Sequence, residues 1–397
     1  MLPLIDSLAN CIQQMHLISI GKHEAEALAG PIFGASLFPY LAFIYFLNVK
    51  ENQFPKGVTV GFATCLVFVL ATIPAAVAAK TLYGVSISDC DWLHGFAESM
   101  LVIHNLVIVI AFRQVIRATV KKLPRPASAE CYAPMVRLVA VLSTVAFSIV
   151  LTHVMMGSKV HTPYLGGVMD LPSHLSKILS AGQNAEPENA LSVATWILHI
   201  ASLIEYPIVM GYVWQWASIV NNPKWKGLTW GLLPLQSSGI TACAAHLLYN
   251  RVPIMVPLQA VQTCIGSVTA AIAALRIARS NGWAPSFSLG LKSRTKLEDD
   301  MTAQVITTRT KEPKETKQSS IQGQGLLLVE DDASFFLKLL GISVLASYAI
   351  KYGEVFFEFP FKAELYVGIS LVAVPTMLNA FHWYKQSQDP SFNGWLL

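Results

Sequence analysis

The stretch "DWLHGFAESMLVIHNLVIVIAFRQVIR", residues 91–117, decides how this chain is read. Its length and apolar content suit a helix that crosses a lipid bilayer, which needs about 20 mostly apolar residues. Yet it carries His94, Glu98, His104 and Asn105. A second stretch, "TWILHIASLIEYPIVMGYVWQWAS" (195–218), repeats the pattern with His199, Ser202 and Glu205. Ionisable groups are costly at mid-bilayer and normally face the protein interior or water. The two stretches therefore predict a helical membrane protein whose helices turn polar stripes toward one another.

Composition agrees. The 397 residues are 53% hydrophobic and only 13% charged, against roughly 25% charged in soluble domains. Mean hydropathy is +0.49. The fold class expected is an all-α integral membrane protein. Nine spans are read, at about 31–48, 58–79, 92–114, 135–156, 191–218, 228–249, 254–276, 334–350 and 364–383. Pro74, Pro207 and Pro375 fall inside spans, where neighbours must satisfy the carbonyls they free. With nine spans, one side receives Lys50, Lys56, Arg113, Arg117, Lys121, Lys122, Arg125, Lys224, Lys226, Arg276, Arg279 and Lys385. The other side receives fewer basic residues, mixed with Asp89, Asp91, Asp170, Glu186 and Glu188. The positive-inside rule then predicts the N-terminus outside and the C-terminus in the cytosol or, in a plastid, the stroma.

The expected organisation is an N-terminal segment, 1–30; a first three-helix membrane block, 31–125; a connecting helix and non-stromal loop, 126–190; a second three-helix block, 191–283; a disordered linker, 284–332; and a C-terminal two-helix hairpin, 333–397. The linker, with "KSRTKLEDDMTAQVITTRTKEPKETKQSS", is too polar to bury a core, so the hairpin behind it is expected to insert independently and the body to fold without it. The N-terminal residues lack the pattern of a signal or transit peptide. No basic patch with interleaved aromatics suggests a nucleic-acid partner. The six cysteines form no CxxC pair, so neither a zinc site nor a redox motif is expected. No HExxH, GxSxG or phosphate-cradling motif points to catalysis.

The histidines and carboxylates leave three readings open. His94 and Glu98, four apart, share a helix face, and Asn105 lies about 20° round from His94 at 100° per residue. In "GLLPLQSSGITACAAHLLYN" (231–250) His246 sits among small residues that favour close helix packing. His94, Glu98, His199, Glu205 and His246 thus serve as helix braces, as axial ligands of haem or chlorophyll oriented by a carboxylate, or as steps of a proton or ion path.

Three segments carry a resemblance. "WILHIASLIEY", "NPKWKGLTWGLLPLQSSGITACAAHLLYN" and "LQAVQTCIGSVTAAIAALR", within about 191–280, resemble the hypothetical chloroplast reading frame forty-nine family of cyanobacterial and plastid membrane proteins. Residues 33–117, with "SLFPYLAFIYFLN" and "TIPAAVAAKTLYG", look like a second uncharacterised family from the same organisms. The tail, with "ASYAIKYGEVFFEFPF", is similar to small plastid membrane proteins. The resemblance implies photosynthetic ancestry and a plastid membrane, thylakoid rather than inner envelope, but no reaction. The expected role is a non-enzymatic scaffold or assembly factor for photosynthetic complexes, with membrane lipid and other plastid membrane proteins as partners. The alternatives are a haem- or chlorophyll-binding protein and a transporter.

Overall fold

A computed structural model describes residues 20–52, 54–120, 189–285, 332–356 and 364–389, with a few isolated positions between 137 and 152. Eight long helices run through these segments: α1 (Lys22–Leu47), α2 (Lys56–Tyr83), α3 (Asp91–Val120), α4 (Val193–Ile219), α5 (Lys226–Leu247), α6 (Met255–Ser280), α7 (Asp332–Phe356) and α8 (Leu365–Gln388). No strand occurs among the described residues.

Seven of the eight, all but α5, are long and apolar enough to cross a membrane. Eight of the nine spans read from the sequence correspond to helices of the described residues. Helix α5 covers the sixth expected span, but Gln236, Ser237, Ser238, Thr241 and His246 dilute its apolar content. The fourth expected span, 135–156, lies almost entirely outside the described residues, as does most of the segment expected as a linker. The first helix begins at Lys22 rather than near residue 31. The residues assigned to an N-terminal segment carry on into it, with Ala25 and Ala29 already buried.

The six helices of the two blocks form one bundle. Helix α1 lies along α6, α2 along α3, α3 along α4, and α5 along both α4 and α6. Small residues allow the close approaches. A Cβ on Gly61 of α2 would sit 2.7 Å from the Ile108 side chain of α3, and one on Gly266 of α6 would sit 2.7 Å from the backbone nitrogen of Leu235. With little hydrophobic drive between helices in lipid, such contacts carry much of the association. Thr269 Oγ1 adds a 2.7 Å bond to the Gly231 carbonyl across the same α5–α6 seam.

Two ends of the bundle can be told apart. At one, the backbone N–H of Ser192 donates to Asp91 Oδ1 at 2.9 Å, so α3 and α4 start side by side and run parallel. At the opposite end Phe54 stacks on Trp225 with centroids 4.6 Å apart, and Asn281 Nδ2 donates to Asn52 Oδ1 at 2.9 Å. The basic residues Lys50, Lys56, Arg117, Lys224 and Arg279 lie in helix ends and short turns at this second end.

The tail differs from the self-contained hairpin expected. Helix α7 packs on α4 and α8 packs on α5. Arg113 Nε and Arg117 Nη1 donate to the two carboxylate oxygens of Asp332 at 2.6 and 2.5 Å. The Arg113 guanidinium also lies over the Phe335 ring, 4.1 Å from its centroid. Lys351, buried near the other end of α7, donates from Nζ to the Leu191 carbonyl at 2.7 Å. Trp383 of α8 packs against Trp214 of α4, centroids 5.4 Å apart. A buried cation near a membrane surface needs a partner, and the tail both supplies one for Arg113 and takes one for Lys351. The physical reason for the departure is thus polar as well as apolar.

Candidate functional site: three histidines from three helices

His94 enters on the first turn of α3, His199 on the second turn of α4 and His246 on the last turn of α5. Because α3 and α4 start together and α5 ends there, all three reach the same level of the bundle. His94 Nε2 lies 3.0 Å from His199 Nε2. Ring centroids are 5.0 Å apart for His94–His199, 4.6 Å for His94–His246 and 5.0 Å for His199–His246. One nitrogen from each ring lies within 4.8 Å of the other two. All three residues are buried.

Local sequence explains the convergence. Ser192 caps α4, its Oγ accepting from the Thr195 backbone N–H at 3.3 Å. Thr195 faces Gly95 so closely that a Cβ there would lie 2.7 Å from Thr195 Oγ1. That contact brings α3 and α4 together one residue beyond His94. Below the helix ends, Asp89 accepts from Lys22 Nζ, Asn189 Nδ2 and Asn250 Nδ2. Burial alone would raise the Asp89 pKa, but the bonds from Lys22, Asn250 and Asn189 outweigh it and hold the carboxyl below its ordinary value. One carboxylate thus ties together the loops that lead into or out of α1, α3, α4 and α5.

The expected carboxylates fall in different places. Glu98 does not pair with His94, its neighbour on the helix face. Its Oε2 lies 3.6 Å from His199 Nδ1 across the helix seam, just beyond hydrogen-bond range. This is the position of a carboxylate that orients a ligating imidazole through its second nitrogen. His94 Nδ1 is buried with no partner. Glu205 lies almost two turns further along α4 beside Asn105 of α3. The two side chains are buried against each other between the helices. Ser202 turns back to its own helix, donating to the His199 carbonyl at 2.9 Å. His104 is a brace: its Nδ1 lies 2.8 Å from the Gly61 carbonyl of α2.

The geometry suits a single metal ion. Zinc bonds imidazole nitrogen at about 2.0–2.1 Å, which sets tetrahedral nitrogens roughly 3.4 Å apart. The cluster needs about 1.4 Å of closure at its widest to reach that spacing from its present 4.8 Å spread. A planar macrocycle fits less well, since rings 4.6–5.0 Å apart leave no slot for one between them. The sequence reading expected no metal ligands because it looked for local spacing. Here each helix gives one histidine, and only packing unites them. Cys243, free and buried one turn before His246, and Trp196, whose ring lies 6.0 Å from that of His199, line the surroundings.

Fold and site together define a polytopic α-helical membrane protein with a buried tris-histidine cluster at one end of its bundle. A family model described as "Protein of unknown function (DUF3593)" matches residues 29–117. Another, "Protein of unknown function (DUF2499)", matches residues 190–276. A "Ycf49-like protein" from the cyanobacterium Synechocystis is 36% identical over 95 residues, which cover 91% of that protein and 23% of this chain. The chain belongs to the Ycf49-like family, and it fuses two uncharacterised families in one polypeptide. No solved structure matches it.

Proposed function

We propose that this protein binds a first-row divalent transition metal in the membrane through His94, His199 and His246, with Glu98 orienting His199. The observation that carries the reading is the approach of three imidazole nitrogens from three helices to within 4.8 Å. Imidazole suits zinc, copper, iron and nickel, whereas calcium and magnesium take oxygen ligands. Three protein ligands leave a fourth position open, the arrangement of catalytic rather than purely structural zinc centres. Glu98, against the far nitrogen of His199, is placed to balance the ion's charge through that ring.

The metal reading sits within the wider role expected from the sequence, that of a scaffold or assembly factor for photosynthetic complexes. The cyanobacterial relative supports a photosynthetic setting. The crowding of basic residues at the end opposite the histidines supports a stromal location for that end. The metal centre then faces the other compartment, the lumen if the membrane is the thylakoid.

The test is elemental analysis of full-length protein purified in detergent without chelator, alongside His94→Ala, His199→Ala and His246→Ala. One ion per wild-type chain and loss of it from all three variants is the expected result. Each variant is first checked for helical content by circular dichroism. A metal-free wild type that also fails to take up added Zn2+, Cu2+ or Fe2+ sinks the proposal.

A further inference from the structure

The ligand set is divided between the two families. His94 and Glu98 lie in the part matched by the first model, and His199 and His246 in the part matched by the second. The Ycf49-like relative aligns over 91% of its own length with 95 residues of this chain. It has room for one block only. Either block alone holds an incomplete set.

The contact between the blocks has the make-up of a subunit interface. It joins α3 to α4 and α1 to α6 along their lengths. Polar bonds cross it at both ends: Asp91 to the Ser192 backbone and Asp89 to Asn250 at one, Asn52 to Asn281 at the other. Aromatic pairs cross it too, with Phe54 stacked on Trp225 and Phe46 edge-on to Trp283. Arg113 Nη1 donates to Tyr212 Oη at 3.3 Å between α3 and α4. Burial at both helix pairs with hydrogen bonds across both rims gives specificity that does not depend on the connecting peptide.

We propose that the two blocks are two subunits joined in one chain, held by this interface without the peptide between them. It follows, resting on the metal reading above, that a single-block relative completes its histidine set only against a partner chain resembling the missing block. The partner is thus a membrane protein of about three helices that presents the complementary histidine or histidines.

The experiment uses the full chain with a protease site inserted between residues 125 and 134. The purified protein is cut in detergent, passed over a sizing column and analysed for metal before and after cutting. The same is done with Gly95→Leu, whose side chain would meet Thr195 at the α3–α4 seam; its helical content is checked before the cut. The expected result is that the wild-type fragments elute together with their metal and the Gly95→Leu fragments separate. Wild-type fragments that part on cutting overturn the proposal. So do Gly95→Leu fragments that stay together, since they would show that association does not depend on this interface. Fragments that stay together specifically but never hold metal, cut or uncut, keep the two-subunit reading and remove the metal one.

Discussion

Replacing Gly95 by alanine tests how the histidines are brought together. The new Cβ would lie 2.7 Å from Thr195 Oγ1 and 3.7 Å from Thr195 Cβ. Relief by rotating Thr195 is restrained, because its hydroxyl lies 3.2 Å from Ser192 Oγ at the start of α4 and 3.4 Å from the Asp91 carbonyl at the start of α3. Two effects oppose each other. Alanine in a helix interior gains about 0.5–1 kcal/mol over glycine. Overpacking a filled contact costs typically about 1–3 kcal/mol. The clash wins, so Gly95→Ala is expected to destabilise by about 1–2 kcal/mol. The shift also spreads His94 from His199 and weakens metal binding. Thr195→Ala alone should cost about 0.5–1.5 kcal/mol through its lost hydrogen bonds. The double variant removes the clash and keeps the helix gain, so the two changes should couple favourably by about 1 kcal/mol or more. Thermal unfolding in detergent and metal titration of the four proteins measure this. Additive single effects, or a Gly95→Ala protein more stable than wild type, would refute the account of the α3–α4 seam.

Other perturbations probe the rest of the molecule. Asp332→Asn leaves the buried Arg113 without its carboxylate; Asp332 is about half exposed, so the loss should be about 1–2 kcal/mol and appear as faster amide exchange in α7. Both Asp89 and Asp332 have pKa values held below the ordinary range in the folded state, Asp332 because the Arg113 and Arg117 hydrogen bonds outweigh its burial. A depressed carboxylate stabilises fully above its unfolded value and loses that stabilisation as pH falls through the folded one. Stability should therefore decline as pH drops below about 4, and Asp89→Asn should flatten that decline in an acid unfolding series. Asn105 and Glu205 are buried side by side between α3 and α4. Replacing both by leucine should leave thermal stability unchanged or raised, because removing both partners of a buried polar pair leaves no orphaned group; a fall of several degrees would point to a bound water or ion at that pair.

The sequence made the membrane helices legible because lipid imposes one pattern, a long apolar run, on any chain that crosses it. It also put His94, His199 and His246 on the inward faces of the right helices. It did not reveal their meeting. That depends on the parallel start of α3 and α4, set by Asp91 and Ser192, a pair more than ninety residues apart in the chain. Glu98 was assigned to His94 by helix spacing, but neighbours on one helix both point at the adjacent helix, and there Glu98 meets His199 instead. The tail was read as independent because a polar stretch precedes it. Arg113 and Lys351 show why this failed: each partner lies across a tertiary contact that no local pattern announces.

X-ray absorption at the metal edge of loaded full-length protein tests the central claim most directly. The account predicts three imidazole nitrogens at about 2.0–2.1 Å with one further light ligand, and loss of one imidazole contribution in His246→Gln. A shell dominated by sulfur, or an unchanged shell in that variant, would contradict it.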